Sequence, residues 1–333
     1  MLDGAMIMSF HSIKSPTIFS SKVNNTHYRT RFNPSTAIQT SRVLAQSHEG
    51  GKLPESKKLP RSQTLKPLLS QSNTVGIIGG VSTFSTLVFL EKLVWLSSRN
   101  GEESIPFVVC SDPTISRQIP LCGSFPPVNG KSSQILLNCG TLVENLRHKR
   151  VFLEQSGAGC IVMPCHMSHA WLFEVSKGCS VPFLNMGDCV ARELKEAKLK
   201  RIVAGSNVRI GVLSSNASQL AGFYEEKLQN QGFEVVLPDK ATVEHVIVPA
   251  IEALNRKDKE GATNLLRIAI QVLLVRAVNC VILASDEFHS LLPRDDPLYK
   301  KCIDPMDALV RFTIKWAQSN EKKVLKHTSK ELS

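Results

Sequence analysis

Two short segments, separated by 120 positions, each end in a nucleophilic side chain after an apolar run. Residues 160–165 read Cys-Ile-Val-Met-Pro-Cys and residues 280–285 read Cys-Val-Ile-Leu-Ala-Ser, so Cys165 and Ser285 hold the same place. Apolar runs of this length predict buried strands, and ligands bind at the carboxyl ends of the strands in open α/β sheets. We therefore expect Cys165 and Ser285 to lie at equivalent strand ends and to face each other across a cleft.

Such a pair suits proton transfer at carbon. A racemase or epimerase without a cofactor needs a base on one face of a carbon and an acid on the other. A thiol titrates near pH 8.5 and becomes more acidic beside a cation or a helix N-terminus. In Pro-Cys-His-Met-Ser-His (164–169), we expect the backbone N–H groups of the following turn, with His166 or His169, to favour the Cys165 thiolate and to hold a substrate carboxylate.

The elements that would position these residues follow an alternating pattern from residue 73 onwards. Short β-branched runs are predicted as strands, namely TVGIIGG, PFVVCSD, CIVMPC, VPFLNM, RIGVLSS, FEVVLP and CVILAS. Amphipathic segments between them are predicted as helices over 83–97, 142–155, a short stretch from 168, 188–200, 217–229, 243–255, 259–277 and 305–320. The pattern predicts an α/β protein with parallel sheets and crossover helices.

The chain also resembles itself at two offsets. Residues 75–78 align with 210–213 at an offset of 135, and residues 160–165 align with 280–285 at an offset of 120, which places His169 over His289. Two similar α/β halves related by a pseudo-two-fold axis are therefore predicted, although any two βα units share some likeness. The predicted domains are 73–186, completed by the helix 305–320, and 187–304, with a disordered tail over 321–333.

The net charge lies mainly in the N-terminal part of the sequence. The 333 residues are 42% hydrophobic, 6% aromatic and 21% charged, with 40 Lys and Arg against 29 Asp and Glu, a formal charge of +11. Residues 1–70 hold ten basic and three acidic residues, a net +7, and they are rich in Ser and Thr. This composition is typical of an organellar transit peptide, with a merely disordered tail as the alternative, so 1–72 is predicted to be a transit peptide and linker. A nearly neutral body argues against a nucleic-acid partner.

Composition excludes two further classes. No run of about 18 apolar residues occurs, so no membrane span is expected. Nine cysteines at irregular spacing, without a CxxC pair, argue against a disulfide framework. A zinc site of Cys165, His166 and His169 lacks a second ligand pair, and TVGIIGG is not a dinucleotide-binding fingerprint, so neither a metal nor a cofactor is expected.

Several of these segments together resemble one known family. TVGIIGG, PFVVCSDPTISRQIP, AGCIVMPCHMSH, VPFLNM and NCVILASDE are similar, in order and spacing, to the aspartate/glutamate racemase superfamily and in particular to its plant branch, over about residues 73–320. The resemblance implies two Rossmann-like domains with the active site in the interdomain cleft, and no pyridoxal phosphate or metal. It implies that Cys165, in a PCN(T/S)-x-H-like motif, is one catalytic residue, and that the chain is localised to the chloroplast.

The departures from the family pattern concern the same residues. Ser285 stands where the family has its second cysteine, in a GCTE motif, and a hydroxyl is roughly five or more pKa units less acidic than a thiol. Two-way racemisation therefore needs a neighbour that takes the serine proton. The carboxylate-binding Asn and Thr of the family are His166 and Met167 here, followed by Ser168.

Other side chains have two open interpretations. The resemblance makes Arg117 a substrate-carboxylate anchor, but a solvated loop arginine is the alternative. Asp286 and Glu287 either relay a proton through Ser285 and bind an amino group, or are acids that favour a helix N-terminus. His169 and His289 fit structural histidines better than catalysts.

Two functions remain in competition. The first is a cofactor-independent racemase or epimerase that acts on a small acidic amino acid, with Cys165 and Ser285 as catalytic residues and altered or one-directional activity. The second is a catalytically degenerate member that binds a small carboxylate. In both, the expected partner is a small dicarboxylate or amino acid, and a homodimer is possible.

Overall fold

A computed structural model describes residues 71–98, 104–122, 133–202, 204–214, 217–289 and 291–331 of the chain. The predicted transit peptide and linker (1–72) lie outside the described residues except for positions 71 and 72. Within the described part no helix is both long and apolar enough to span a membrane.

In the described part of the chain, eight strands form two four-stranded parallel sheets. The first sheet has the order β2-β1-β3-β4 and the second has the order β6-β5-β7-β8. The strands are β1 (Val75–Gly79), β2 (Phe107–Ser111), β3 (Cys160–Val162), β4 (Phe183–Leu184), β5 (Val208–Leu213), β6 (Phe233–Val236), β7 (Cys280–Leu283) and β8 (Cys302–Ile303). The α/β class and the parallel sheets predicted from the sequence are confirmed. We call the parts built on the two sheets the first and the second lobe.

Helices connect the strands and cover both sheets. They are α1 (Thr83–Ser97), α2 (Ser133–Gln155), α3 (Leu172–Ser176), α4 (Met186–Glu196), α5 (Ala217–Gln229), α6 (Lys240–Thr242), α7 (Val248–Asn255), α8 (Lys259–Val275) and α9 (Pro305–Glu331). A π-helical turn, Val243–Ile247, joins α6 to α7. Among the described residues, 3-10 segments follow β2, β3 and β7 and precede β8, namely Pro113–Cys122, His166–Trp171, Asp286–Phe288 and Pro297–Lys301.

The strand register reproduces both sequence offsets. In the first sheet Val75 pairs with Cys160, and in the second sheet Ile210 pairs with Cys280. These two pairs are related by offsets of 135 and 120, which are the offsets of the internal alignment. The strands that precede Cys165 and Ser285 therefore occupy the same position in two sheets of the same order.

The described residues form a core of three clusters. One cluster of buried side chains contains members of both sheets and of α1, α4, α5 and α9, including Ile77, Val190, Ile210 and Leu309. A second cluster fills the space between the first sheet and α2 and α3, and a third fills the space between the second sheet and α7 and α8. Both strand pairs β1–β3 and β5–β7 are thus covered on two faces, as expected for parallel strands that are apolar throughout.

The largest departures from the predicted elements concern helix ends. Helix α2 begins at Ser133 rather than 142, because the helix continues through Gly140, which costs only about 1 kcal/mol in a helix interior. Helix α9 continues to Glu331, so the prediction of a disordered tail over 321–333 was wrong for most of that segment. Its Lys, Glu and Leu residues are good helix formers that need no apolar period. Helix α9 packs against α1 and α4.

A close approach of two turns positions the segment that carries Arg117. Gly80 follows β1 with φ +107°, and a Cβ there would lie 2.3 Å from the backbone oxygen of Asp112, which follows β2. A side chain at position 80 would therefore clash with the backbone that leads into Pro113–Cys122. Gly178 also has a positive φ, +75°, but a Cβ there would meet no atom within 4 Å.

We expect Gly178→Ala to lower the free energy of unfolding by about 1–2 kcal/mol, the strain of a left-handed residue. Gly80→Ala should lower it by about 1–3 kcal/mol more, because the clash with Asp112 adds to the strain. Urea unfolding of the two variants measures the difference. Equal losses would show that the turn can open without cost.

Candidate functional site

Cys165 lies at the carboxyl end of β3, where the sequence predicts it. It is the residue before the 3-10 turn His166–Trp171, and its extended backbone (φ −81°, ψ 129°) allows that turn to begin. Ser168 Oγ donates a 2.6 Å hydrogen bond to the Cys165 carbonyl and so closes the turn. The Cys165 residue is only 4% exposed.

Ser285 occupies the equivalent position in the second lobe. It follows β7, precedes the 3-10 turn Asp286–Phe288 and is 2% exposed. Its hydroxyl donates a hydrogen bond to a carboxylate oxygen of Glu287, the exposed acid two residues later. A hydroxyl bonded in this way has a neighbour that can take its proton.

The two turns meet directly, although 120 positions separate them in the sequence. The backbone N–H of His166 donates to Asp286 Oδ1 at 3.2 Å, and His166 Nδ1 lies 2.8 Å from the same oxygen. The Asp286 carboxylate thus takes the place at the N-terminus of the first-lobe turn where a substrate carboxylate was expected. Asp286 was expected either to relay a proton and bind an amino group or to act as an acid at a helix N-terminus. The structure shows a different contact, in which Asp286 binds His166 of the other lobe.

The electrostatics of Cys165 differ from the expectation. Burial raises the pKa of the thiol well above its usual value, and the neighbouring Asp286 carboxylate raises it further. Backbone N–H groups of Met167 and Ser168 act in the opposite direction but do not prevail. The prediction that the turn favours a thiolate was therefore wrong, because the thiol is buried beside a negative charge. At neutral pH Cys165 carries its proton.

Asp286 itself remains ionised despite its burial. Burial favours the neutral acid, but hydrogen bonds and charge from His166 and His289 hold the pKa of Asp286 well below its usual value. An ionised carboxylate beside a protonated thiol is a proton acceptor in reach of a proton donor.

A chain of alternating charges continues from Asp286 into the first lobe. His289 Nε2 lies 3.8 Å from Asp286 Oδ1, and His289 Nδ1 lies 3.2 Å from Asp304 Oδ1. Lys92, on α1, binds Asp304 Oδ2 at 3.1 Å and also contacts Asp307. Burial lowers the pKa of His289, but the two carboxylates outweigh it and raise the pKa to about 9.

The structure adds His289, Asp304 and Lys92 to the residues predicted for the site. One signal was present, since His289 aligns with His169 in the internal repeat. Asp304 follows β8 directly and so lies at the same sheet edge as Ser285. Lys92 lies in the middle of a helix, 212 positions from Asp304, and no sequence pattern indicates that pairing.

His169 fits the structural interpretation. Its Nε2 lies 3.1 Å from the Met163 carbonyl, which can only accept, so that nitrogen carries the proton. Burial lowers the pKa of His169 to about 3, with the nearby His166 as a further cause, so the ring is neutral at physiological pH. The Phe223 ring packs against it at 5.2 Å.

The remaining predicted site residues are not joined to this cluster. Arg117 is exposed on Pro113–Cys122, and no hydrogen bond or ion pair among the described residues links it to Cys165 or Asp286. Met167 is partly buried against the first-lobe core. A cavity of about 210 Å³ beside Asp304 is lined by Lys92, Leu283, Phe288, Leu292, Pro293, Arg294, Tyr299 and Asp304.

One group of described side chains has the composition of a metal centre. His166, Asp286 and His289 each offer a ligand atom, and these atoms lie within 4.8 Å of one another. This group differs from Cys165, His166 and His169, which lie close together in the sequence. The ligands come from both lobes, which is why their spacing in the sequence does not indicate them.

Comparisons of sequence and of structure both find similarity to amino-acid racemases. A model of the family described as Asp/Glu/Hydantoin racemase matches residues 78–313. The structure of an aspartate racemase from Picrophilus torridus is similar, with a TM-score of 0.54 and 26% identity, over 74% of this chain and 94% of that chain. The structure of an aspartate racemase homologue from Pyrococcus horikoshii OT3 is also similar, with a TM-score of 0.58 and 20% identity, over 74% of this chain and 99% of that chain. An uncharacterized protein from the region 3′ of pnlA in Pectobacterium carotovorum subsp. carotovorum is 24% identical over 149 residues, 44% of this chain and 92% of that protein.

The raised pKa of His289 predicts a pH dependence of stability. A histidine with a folded-state pKa of about 9, against 6.5 unperturbed, stabilises the fold fully below pH 6.5, and this contribution is lost as the pH rises through 9. We expect the loss to reach at most about 3 kcal/mol between pH 6.5 and 10. Urea unfolding at several pH values measures it, and His289→Gln should remove this part of the slope.

His169→Gln is the matched control, because His169 is also buried but neutral throughout this range. It should keep the wild-type slope even if it lowers stability at every pH. A wild-type slope in His289→Gln would contradict the assignment of the charge to His289.

Proposed function

Because the chain belongs to the Asp/Glu/Hydantoin racemase family, we propose that it moves a proton at the α-carbon of a small acidic amino acid without a cofactor, with the Cys165 thiol as the acid. The observation that carries the proposal is the buried, protonated Cys165 at the end of β3, beside the ionised Asp286. Ser285 lies at the equivalent end of β7 and is bonded to Glu287. Each proton carrier thus has a carboxylate next to it.

The pairing suggests how each group changes its protonation state. For Cys165 to remove an α-proton, its own proton must first pass to Asp286, which leaves a thiolate. The raised pKa of the thiol and the lowered pKa of the Asp286 carboxyl make this transfer unfavourable, so Cys165 acts chiefly as the acid. For Ser285 to do so on the opposite face, its proton must pass to Glu287. In the reverse role the neutral thiol or hydroxyl donates its proton to the carbanion and is left as a thiolate or an alkoxide. It regains a proton from solvent after the product leaves, while the carboxylate on the opposite face releases to solvent the proton that it took.

The two faces are not equivalent in this scheme. A hydroxyl is a much weaker acid than a thiol, so proton transfer through Cys165 should be faster than transfer through Ser285. The proposed activity is therefore unequal for the two enantiomers of the substrate. Arg117, on the segment after β2, remains a proposed anchor for the distal carboxylate of the substrate. In this role the bound carboxylate would have to draw Arg117 towards the cluster.

We expect wild-type protein in D₂O to incorporate deuterium at Cα of one enantiomer of aspartate or glutamate faster than of the other. Cys165→Ala should reduce the faster exchange by about 10²- to 10⁴-fold, the usual contribution of a positioned acid or base. Proton NMR and chiral chromatography of the recovered amino acid measure exchange and inversion.

Cys189→Ala is the matched control, because Cys189 is also 4% exposed but lies in the core cluster shared by the lobes. It should retain exchange, provided that its melting temperature shows a folded protein. Undetectable exchange with both enantiomers of aspartate and of glutamate, or full exchange in Cys165→Ala, would contradict the proposed function.

A second function is supported by the direct contact between the turns. Because Asp286 occupies the backbone N–H of His166 and both Cys165 and Ser285 are buried, a protein that binds a small carboxylate without turnover also fits. In that case a bound carboxylate would replace Asp286 at the first-lobe turn.

The two functions differ in a thermal unfolding experiment. If binding is the whole function, aspartate or glutamate should raise the melting temperature of Cys165→Ala as much as that of wild type, while neither protein exchanges deuterium. Ligand at 100 times its Kd stabilises a fold by about 2.7 kcal/mol, which such an experiment resolves. Stabilisation together with exchange that depends on Cys165 would exclude the binding-only function.

A further inference from the structure

The outer face of helix α1 carries large apolar side chains along its whole length. They are Phe84, Leu87, Val94 and Trp95, which are 58%, 60%, 42% and 51% exposed. At 3.6 residues per turn these positions fall within about 100° of one another around the helix axis, and Glu91 falls among them. We call these five residues the α1 stripe. An apolar stripe of this width is what an amphipathic helix turns towards a packing partner.

The fold itself does not cover the α1 stripe. The inward side of α1 has its own partners, because Phe89 and Leu93 belong to the core cluster shared by the two sheets and Lys92 binds Asp304. Helix α9 packs against α1 as well. Internal packing therefore explains the inward side of α1 and leaves the α1 stripe in water. A contiguous exposed apolar patch of this kind marks an interaction surface.

The shape of the α1 stripe fits a second copy of itself. Phe84 projects from the first turn, and an open groove of about 660 Å³ lies beside the last turns, lined by Leu90, Glu91, Val94, Trp95 and Ser98. If α1 of one copy packs antiparallel against α1 of another, Phe84 of each copy lies near the groove of the other. A two-fold contact has this property, since the same patch serves both subunits.

The charges at the α1 stripe also favour a second copy. Glu91 is exposed near the middle of α1, and the exposed Arg294 lies beside the stripe, with its guanidinium carbon 5.7 Å from the centre of the Trp95 ring. Neither Glu91 nor Arg294 forms an ion pair among the described residues. In the antiparallel arrangement the two Glu91 carboxylates lie close to the two-fold axis, and the two Arg294 groups flank and neutralise them. A partner of unrelated sequence would have to supply this balance separately.

The area of the α1 stripe is that of a modest interface. Four large side chains that are about half exposed, with about 150–250 Å² each, present roughly 400 Å² per copy. Together with Glu91, Arg294 and the groove, two copies would bury about 1,200 Å², which is the lower limit for a specific stable interface. We therefore expect a dimer that dissociates at about 1–10 μM.

We propose that the α1 stripe is the contact surface of a homodimer, in which α1 of one copy packs antiparallel against α1 of a second copy. The inward side of the same helix holds Asp304 through Lys92, so the dimer also fixes the helix that supports this part of the site. The proposal concerns association of the chain alone and does not depend on proton transfer by Cys165.

Sedimentation equilibrium of the full-length protein tests the contact. Wild type should reach twice the 36.7 kDa mass of one chain above about 10 μM and dissociate below about 1 μM. Leu87→Glu and Val94→Glu each place two charges in the contact, one from each copy, and should raise the Kd of the dimer at least about 100-fold. Arg294→Glu should raise the Kd about 10-fold, and Glu91→Arg combined with Arg294→Glu should bring it back to within about threefold of wild type.

Val275→Glu is the matched control for Val94→Glu, because Val275 is an exposed valine at the end of α8, outside the α1 stripe. It should keep the Kd of the dimer within about twofold of wild type. Circular dichroism of each variant shows whether it is folded, and if the stripe variants do not fold, Arg294→Glu and the charge exchange decide.

A wild type that is monomeric at about 100 μM would overturn the proposal and leave residues 1–70 or a different protein as the occupant of the α1 stripe. A dimer whose Kd is unchanged in folded Leu87→Glu and Val94→Glu, or in Arg294→Glu, would also overturn it, because the contact would then lie elsewhere.

Discussion

Asp286 brings an ionised carboxylate into the buried region where the turns after β3 and β7 meet. A buried charge without partners is strongly unfavourable, so the surrounding groups have to neutralise it. The backbone and ring of His166 do so from the first lobe, and His289 does so from the second. His289 requires Asp304, and Asp304 requires Lys92, so one carboxylate organises side chains on both sheets and on α1. The same charge keeps the proton on Cys165.

The two lobes share a sheet order and a register but differ in the chemistry at their strand ends. The first lobe contributes a thiol followed by an imidazole, and the second contributes a hydroxyl followed by two carboxylates. The halves therefore complement each other: the acid of one lobe is bound by the histidine of the other. A duplicated fold with unlike turns gives an unsymmetrical site, which is the physical basis for expecting unequal rates on the two faces of a substrate.

Much of the fold could be predicted because its signals are local. Apolar runs and helical periods predicted the strands and most helices, and self-alignment predicted the equivalent positions of Cys165 and Ser285. What could not be predicted depends on distance in space. The pKa of Cys165 is raised by burial and by Asp286, and His289 and Lys92 owe their roles to their contacts with Asp304. These contacts leave no pattern along the chain. The true end of α9 was missed because a polar helix has no apolar period.

Helix α9 has a consequence for the order in which the protein can be completed. It follows both sheets along the chain, yet its buried residues Leu309 and Val310 share a cluster with Phe89 and Leu93 of α1. Asp304, just before it, holds Lys92. During synthesis from the N-terminus, the face of α1 that packs against α9 remains uncovered until residues 305–331 leave the ribosome. A nascent chain that stops before position 304 therefore has both sheets but not the closing partner of its first helix.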